Sequence, residues 1–284
     1  MQIRSVGVLG CGLMGSGITQ VCAAAGFRTV VREVDESLLE QGLGRIRQFL
    51  DSGVAKGKLT EDRRAFTLSN ITGATSFDAF HDCDLVIEAI VENPQAKQLA
   101  YSALERVLRA HTVLLSNTSS LCITELAAET ARPDRFAGLH FFSPVPLMKL
   151  VEVIRGLTTS DETYRTALDF ATAIGKEPIA APDRPGFIVN RLLVPYLLDA
   201  VRAHENGLGS VEDIDKGMTL GCGHPIGPFA LLDFIGLDTA YSVANIMFEE
   251  FREPAYAPPP LLKRMVLAGR LGRKSGRGFY TYSA

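Results

Sequence analysis

Three glycines near the amino terminus constrain this chain more than any other feature. Gly10, Gly12 and Gly15 are spaced as G-x-G-x-x-G. A β-branched run (Val6, Val8, Leu9) precedes them, and an apolar helical stretch from about Leu13 to Ala25 follows. Gly26 breaks that stretch, Thr29-Val30-Val31 opens a second strand, and Glu33 closes it. The glycines alone would suit a glycine-rich turn in another α/β protein. Strand, glycines, helix, strand and terminal acid in this order describe a dinucleotide-binding βαβ unit. Gly10 permits the tight turn, Gly12 leaves the backbone open to a pyrophosphate, and Gly15 lets helix and strand pack closely. The helix start offers N–H groups and partial positive charge to phosphates. Glu33 can accept from a ribose diol and would repel a 2′-phosphate, which favours NAD. Neighbouring Arg32 could reach such a phosphate, so NADP stays open.

The bulk composition narrows the class. The chain has 284 residues, 46% hydrophobic and 21% charged, enough for a large core and for two domains. A net charge of −3 argues against a general nucleic-acid or membrane-surface protein. Five cysteines are scattered without a C-x-x-C pair, so they read as reduced thiols of a cytoplasmic protein, with neither a disulfide framework nor a metal site. No apolar run approaches membrane-spanning length.

Beyond Glu33 the spacing predicts a helical hairpin over about 36–68. Its Arg45, Arg47, Lys56, Lys58, Arg63 and Arg64 read either as a solvated face or as a patch for a phosphate-bearing ligand. Strands and helices then alternate. The apolar run Cys83 to Ile90 reads as a buried parallel strand. The next strand runs into Ser116-Asn117-Thr118-Ser119-Ser120, a polar cluster past a strand's carboxyl end, where doubly wound sheets place ligands. The Pro- and Gly-bearing segment from Ala180 to Gly186 predicts a domain boundary. Residues 1–183 are therefore expected to form a Rossmann-like α/β domain, and 184–284 an all-α domain whose apolar surface suits a homodimer contact. Within the latter, 187–203 is apolar nearly all round and reads as a buried helix.

A hydride-transfer site needs a proton acceptor beside the cofactor. Among five histidines, His140 is the candidate, because it lies late in a predicted strand of the first domain. Glu152, in the strand beyond the Pro144/Pro146 loop, can come opposite it. A carboxylate on an imidazole fixes its tautomer and balances the positive charge formed on proton uptake.

At this point the resemblance becomes specific. Residues 7–20 (GVLGCGLMGSGITQ), 84–97 (DLVIEAIVENPQAK), 116–121 (SNTSSL) and 138–154 (GLHFFSPVPLMKLVEVI) resemble blocks of the L-3-hydroxyacyl-CoA dehydrogenase family, its short-chain 3-hydroxybutyryl-CoA members above all. PGFIVNRLLVPYL (185–197), HPIGPFALLDFIGLDT (224–239) and GRLGRKSGRGFY (269–280) extend the likeness to the whole chain. The resemblance implies NAD-dependent interconversion of (S)-3-hydroxyacyl-CoA and 3-oxoacyl-CoA. It implies His140 as catalytic base, Glu152 as its partner, and Ser119 and Asn190 on the reacting end of the substrate. It places Gly10, Gly12, Leu13, Met14, Gly15 and Glu33 on the adenine half of NAD and its pyrophosphate. Glu92, Lys97, Asn117 and Ser143 would meet the nicotinamide half. Lys56 would meet the CoA phosphates. Two positions depart from the pattern: Ser143 stands where the family usually has Asn, and Glu33 where it usually has Asp. Two other functions fit a chain of this kind: a dehydrogenase of non-CoA hydroxy acids, similar to gulonate and carnitine dehydrogenases, and a crystallin-like protein without activity.

Overall fold

Residues 3–282 are described by a computed structural model of the chain. They form two compact units that divide between Arg184 and Pro185.

The first unit is a doubly wound sheet. Its strands are β1 (Ser5–Leu9), β2 (Arg28–Arg32), β3 (Ile71–Ala74), β4 (Leu85–Glu88), β5 (Val113–Ser116), β6 (Phe136–Phe141), β7 (Leu150–Arg155) and β8 (Glu177–Pro182). Their spatial order is β3-β2-β1-β4-β5-β6-β7-β8. Helices α1 (Leu13–Ala24), α2 (Glu36–Ala55), α3 (Glu61–Ser69), α4 (Pro94–Glu105), α5 (Ile123–Ala128) and α6 (Asp161–Ala173) connect them. Every residue of β1, β4, β5 and β6 is buried. That explains their unbroken apolar runs, since a parallel strand covered on both faces has no solvent side to mark. The strand order reverses between β1 and β4, which opens a crevice beyond their carboxyl ends.

Local signals set the helix starts. Asp35, Thr60, Asn93 and Ser160 each accept the backbone N–H three residues on, at the starts of α2, α3, α4 and α6. Between α2 and α3 the chain turns at Gly57, whose φ of +64° favours glycine.

One strand was not legible. The stretch that reads as a boundary, Ala180 onward, begins inside β8, which pairs in parallel with β7. Pro178 and Pro182 lie within it. Proline lacks the N–H that a central strand would use, but β8 is the last strand in the order and has one neighbour. β7 runs antiparallel to β6, so β7 and β8 both run opposite to the other six strands.

The second unit is helical: α7 (Val189–Glu205), α8 (Val211–Cys222), α9 (Pro228–Ile235), α10 (Leu237–Phe251) and α11 (Pro260–Leu267). They enclose Leu197, Leu198, Val201, Phe229, Leu232, Ala244, Met247 and Leu262. Buried Asp215 accepts from Phe229 N, Ala230 N and Tyr280 Oη, and so caps α9, which has no side-chain cap of its own. Asp233 accepts from Phe279 N, Tyr280 N and Tyr282 Oη, which ties down the carboxyl-terminal segment. Among the described residues, no single helix is long and apolar enough to cross a membrane.

Candidate active site

The carboxyl ends of β1, β4, β5 and β6 lie side by side, and each feeds one part of the site. At β1, Gly10 has φ +98°. A Cβ on it would sit 2.7 Å from the Ala89 carbonyl oxygen, and one on Gly15 would sit 1.9 Å from the Gly10 carbonyl oxygen. These two glycines are dictated by close backbone approach. At Gly12 a Cβ would meet nothing within 4 Å. The space beside it is therefore open at the start of α1, which carries no side-chain cap and no acidic residue in its first turn. Unused N–H groups, partial positive charge and open space suit a pyrophosphate. Leu13 is exposed and Met14 half-buried on the first turn. Half-buried Glu33 follows β2. Its Oε1 accepts from Cys11 N at 2.8 Å and its Oε2 from Val34 N at 2.9 Å, which fixes the carboxylate against the glycine loop. The residues present thus fit a dinucleotide. Burial, then the Glu33 charge, pushes the Cys11 thiol up to about 11, so it stays protonated at neutral pH.

At β6, His140 pairs across the antiparallel ladder with Glu152 of β7. His140 Nδ1 lies 2.7 Å from Glu152 Oε2, and Nε2 lies 3.1 Å from Ser119 Oγ. Both members of the pair are buried. The tautomer follows from the partner: an ionised carboxylate only accepts, so Nδ1 carries the proton and Nε2 is the acceptor.

Ser119 is set in place by Glu92. The loop after β4 turns the Glu92 carboxylate onto the loop after β5. There Oε1 accepts from Thr118 Oγ1 at 2.6 Å, Ser119 N at 2.9 Å, and Ser120 N and Oγ at 3.1 Å. Burial pushes the Glu92 carboxyl up, but Lys97 and these hydrogen bonds outweigh it and hold it below the usual carboxylate range. Asn117 is similarly engaged, its Oδ1 accepting from Phe141 N at 2.9 Å. Lys97 is 1% exposed; its Nζ donates to Glu88 Oε1 at 2.5 Å and lies 3.5 Å from Glu92 Oε2. So Lys97 is buried between two protein carboxylates.

Glu88 is one residue that sequence reasoning missed. It ends β4 fully buried, and its Oε2 accepts from Ser116 Oγ at 2.7 Å and Tyr101 Oη at 2.9 Å. Burial, then the Glu88 charge, pushes the Tyr101 phenol well up, which keeps it a neutral donor. A lone acid inside an apolar strand was the available signal, because a buried charge requires partners. Lys176 was missed too. It is buried, and its Nζ donates to the carbonyls of Val145 (2.5 Å) and Met148 (2.8 Å), fastening the loop that carries Ser143.

Exposed Ser143 and Leu13 line a cavity of about 100 Å³ with Ser16, Arg45 and Phe49. A larger concavity, about 430 Å³, lies by Ile3, Phe27 and α6, at the other end of β1 from the glycine loop. Of the basic hairpin residues, Arg45 donates to Cys11 O, Arg63 to Ala24 O, Arg47 pairs with Glu40, and Arg64 with Asp51. Lys56, at the end of α2, and Lys58 are exposed. Asn190 belongs to the helical unit, half-buried in the first turn of α7. Among the described residues, no cluster of three or more His, Cys, Asp or Glu could hold a metal ion.

Comparison with known proteins places this geometry. Residues 5–184 match the model of the 3-hydroxyacyl-CoA dehydrogenase NAD binding domain, and residues 186–282 that of the 3-hydroxyacyl-CoA dehydrogenase C-terminal domain. The chain belongs to the 3-hydroxyacyl-CoA dehydrogenase family. It is 49% identical over 282 residues to a 3-hydroxybutyryl-CoA dehydrogenase of Mycobacterium tuberculosis, with 99% of each chain covered. It is 48% identical over 290 residues to the human mitochondrial hydroxyacyl-coenzyme A dehydrogenase, covering 99% of this chain and 91% of that one. Among solved structures, (S)-3-hydroxybutyryl-CoA dehydrogenase PaaH1 of Ralstonia eutropha superposes with a TM-score of 0.95 at 46% identity, over the full length of both chains. Within this family frame, the glycine loop after β1 and the His140–Glu152 pair of β6 and β7 belong to a single sheet.

Proposed function

We propose that this chain is an NAD-dependent oxidoreductase that interconverts (S)-3-hydroxyacyl-CoA, 3-hydroxybutyryl-CoA foremost, and the 3-oxoacyl-CoA. The observation that carries the reading is the Ser119–His140–Glu152 relay, held by β6, β7 and the loop after β5 in the same sheet whose β1 presents the glycine loop. NAD, when bound, supplies the hydride acceptor for C3 of the hydroxyacyl group. Gly10, Gly12, Leu13, Met14, Gly15 and Glu33 hold its adenosine and pyrophosphate, and Ser143 lies towards the other half. His140 Nε2 takes the proton of the 3-hydroxyl. Glu152 balances the positive charge that forms on the ring and keeps Nδ1 as a donor. The Ser119 hydroxyl, which donates to Nε2 at rest, turns to the substrate oxygen and orients it. Glu92, Lys97 and Asn117 act through the protein, by fixing the loop that carries Ser119. In the reverse direction the imidazolium returns its proton to the 3-oxygen.

Steady-state turnover tests this. Acetoacetyl-CoA with NADH is expected to turn over with kcat/KM at least about 10⁴ M⁻¹ s⁻¹, the ordinary range for a natural substrate, and free hydroxy acids far more slowly. Turnover of free hydroxy acids without the CoA substrate would favour the gulonate- or carnitine-type reading. Cofactor binding with no turnover of either would favour a protein without activity.

The helical unit also supports a homodimer. Leu192, Leu208, Leu220 and Leu267 are 73–78% exposed on it, apolar side chains that a contact between two copies would cover. Light scattering is expected to give twice the mass of one chain, and a single-chain mass would refute the dimer.

A further inference from the structure

Arg32 stands next to the acid that faces the adenosine ribose, the place from which an arginine ordinarily meets a 2′-phosphate. Its guanidinium is instead engaged by the protein. Its guanidinium carbon lies 4.2 Å above the centre of the Phe77 ring, and its Nε donates to the Thr75 carbonyl at 2.9 Å. Both partners come from the segment after β3, whose register sets Arg32 beside Ala74. The Phe77 ring is itself fixed. It lies edge-on to Phe80, with centroids 6.5 Å apart, in the short 3₁₀ turn Phe77–Phe80 that Ser76 caps. Phe80 is fully buried on β1, where a Cβ at Gly7 would come within 2.6 Å of its ring. A glycine in the first strand thus seats Phe80, Phe80 seats Phe77, and Phe77 holds the arginine.

We infer that Phe77 is a cofactor-specificity residue: by stacking Arg32 it withholds a cation adjoining Glu33 that could meet a 2′-phosphate, while Arg45 is engaged on the Cys11 carbonyl, and so it keeps the site selective for NAD. The inference rests on the dinucleotide reading of the glycine loop. Partial burial lowers the guanidinium's affinity for its proton against the opposing pull of Glu33, but the group remains a full cation, so its position decides the outcome. Selectivity then has two parts. Glu33 repels the 2′-phosphate, and the Phe77 stack denies it a partner.

The test measures binding of ADP, adenosine 2′,5′-bisphosphate, NADH and NADPH by titration calorimetry to the full chain, so that no readout depends on turnover. Phe77→Ala, and Phe77→Leu as the variant that keeps bulk on Phe80, are expected to bind adenosine 2′,5′-bisphosphate and NADPH roughly fivefold tighter than wild type, the worth of one part-exposed cation–π stack. ADP and NADH affinities should be unchanged. Adding Arg32→Ala should erase the gain. No gain in either Phe77 variant while NADH binding stays intact would overturn the proposal alone. A gain that survives Arg32→Ala would overturn it as well. Failure of the wild type to bind NADH or ADP would overturn the dinucleotide reading, and the proposal with it.

Discussion

His140→Gln is expected to lower kcat by about 10³-fold, within the range that general acid–base catalysis contributes, while leaving the Kd for NADH within about twofold. Glutamine keeps much of the side chain's volume, and its amide can still donate to Glu152. It has no nitrogen that accepts a proton at neutral pH, so the step that fails is removal of the 3-hydroxyl proton. The glycine loop follows β1, whereas His140 is on β6, with β4 and β5 between them. Cofactor binding and proton transfer therefore separate in this variant, and the split distinguishes a lost base from a disturbed fold. Glu152→Gln should also act on kcat. A neutral amide can present either N–H or oxygen to Nδ1, so the tautomer is no longer specified, and the imidazolium loses its counter-charge. Stopped-flow and steady-state rates with acetoacetyl-CoA, together with NADH fluorescence titration, are the measurements. Unchanged turnover in His140→Gln would remove the residue from the chemistry.

The extent to which this site is legible in the amino-acid sequence depends on whether each contact is local or long-range. The glycine loop and the buried parallel strands announce themselves, because spacing and apolar run length are properties of a single segment. β8 does not, because its prolines carry the same signal as a linker, and only its edge position makes them tolerable. The His140–Glu152 pairing is readable as two strands flanking the Pro144/Pro146 loop, and the antiparallel register of β6 and β7 does set the two residues opposite each other. Glu33 shows a limit at finer scale. Its placement after β2 is readable, but its bonds to Cys11 N and Val34 N are not. For Arg32 the residue type alone suggests a phosphate contact, and the Phe77 stack redirects it. For Lys97 and Glu92 in DLVIEAIVENPQAK the resemblance implies cofactor contacts, and their protein partners are not readable from the segment. Folding turns one into a buried counter-ion and the other into an anchor for a loop 27 residues further on.

That buried network carries the largest expected effect on stability. Glu88 is fully buried and Lys97 1% exposed, and their ammonium–carboxylate contact is 2.5 Å. Lys97→Met fills most of the volume but leaves the Glu88 carboxylate with only the neutral donors Ser116, Tyr101 and Ile90 N. Breaking a buried pair from one side costs about 3–5 kcal/mol, so a melting transition of the sheet unit should fall by about 10 °C. Adding Glu88→Gln to Lys97→Met should recover part of the loss, since the uncompensated charge is then gone while Tyr101 and Ser116 still have an acceptor. The pH dependence carries a sign. Lys97 helps hold the Glu92 carboxyl below its usual range. Stability from a depressed carboxyl is present above its unfolded value, about 4.3, and is lost as pH falls through the lower folded value. The gap between wild type and Lys97→Met should therefore be wider at pH 7 than at pH 3 in urea unfolding. Lys97→Met should lower kcat as well, because Glu92 holds the backbone N–H of Ser119. A variant that melts with the wild type at pH 7 would show that Glu88 finds its compensation elsewhere, and that Lys97 does not hold this end of the sheet together.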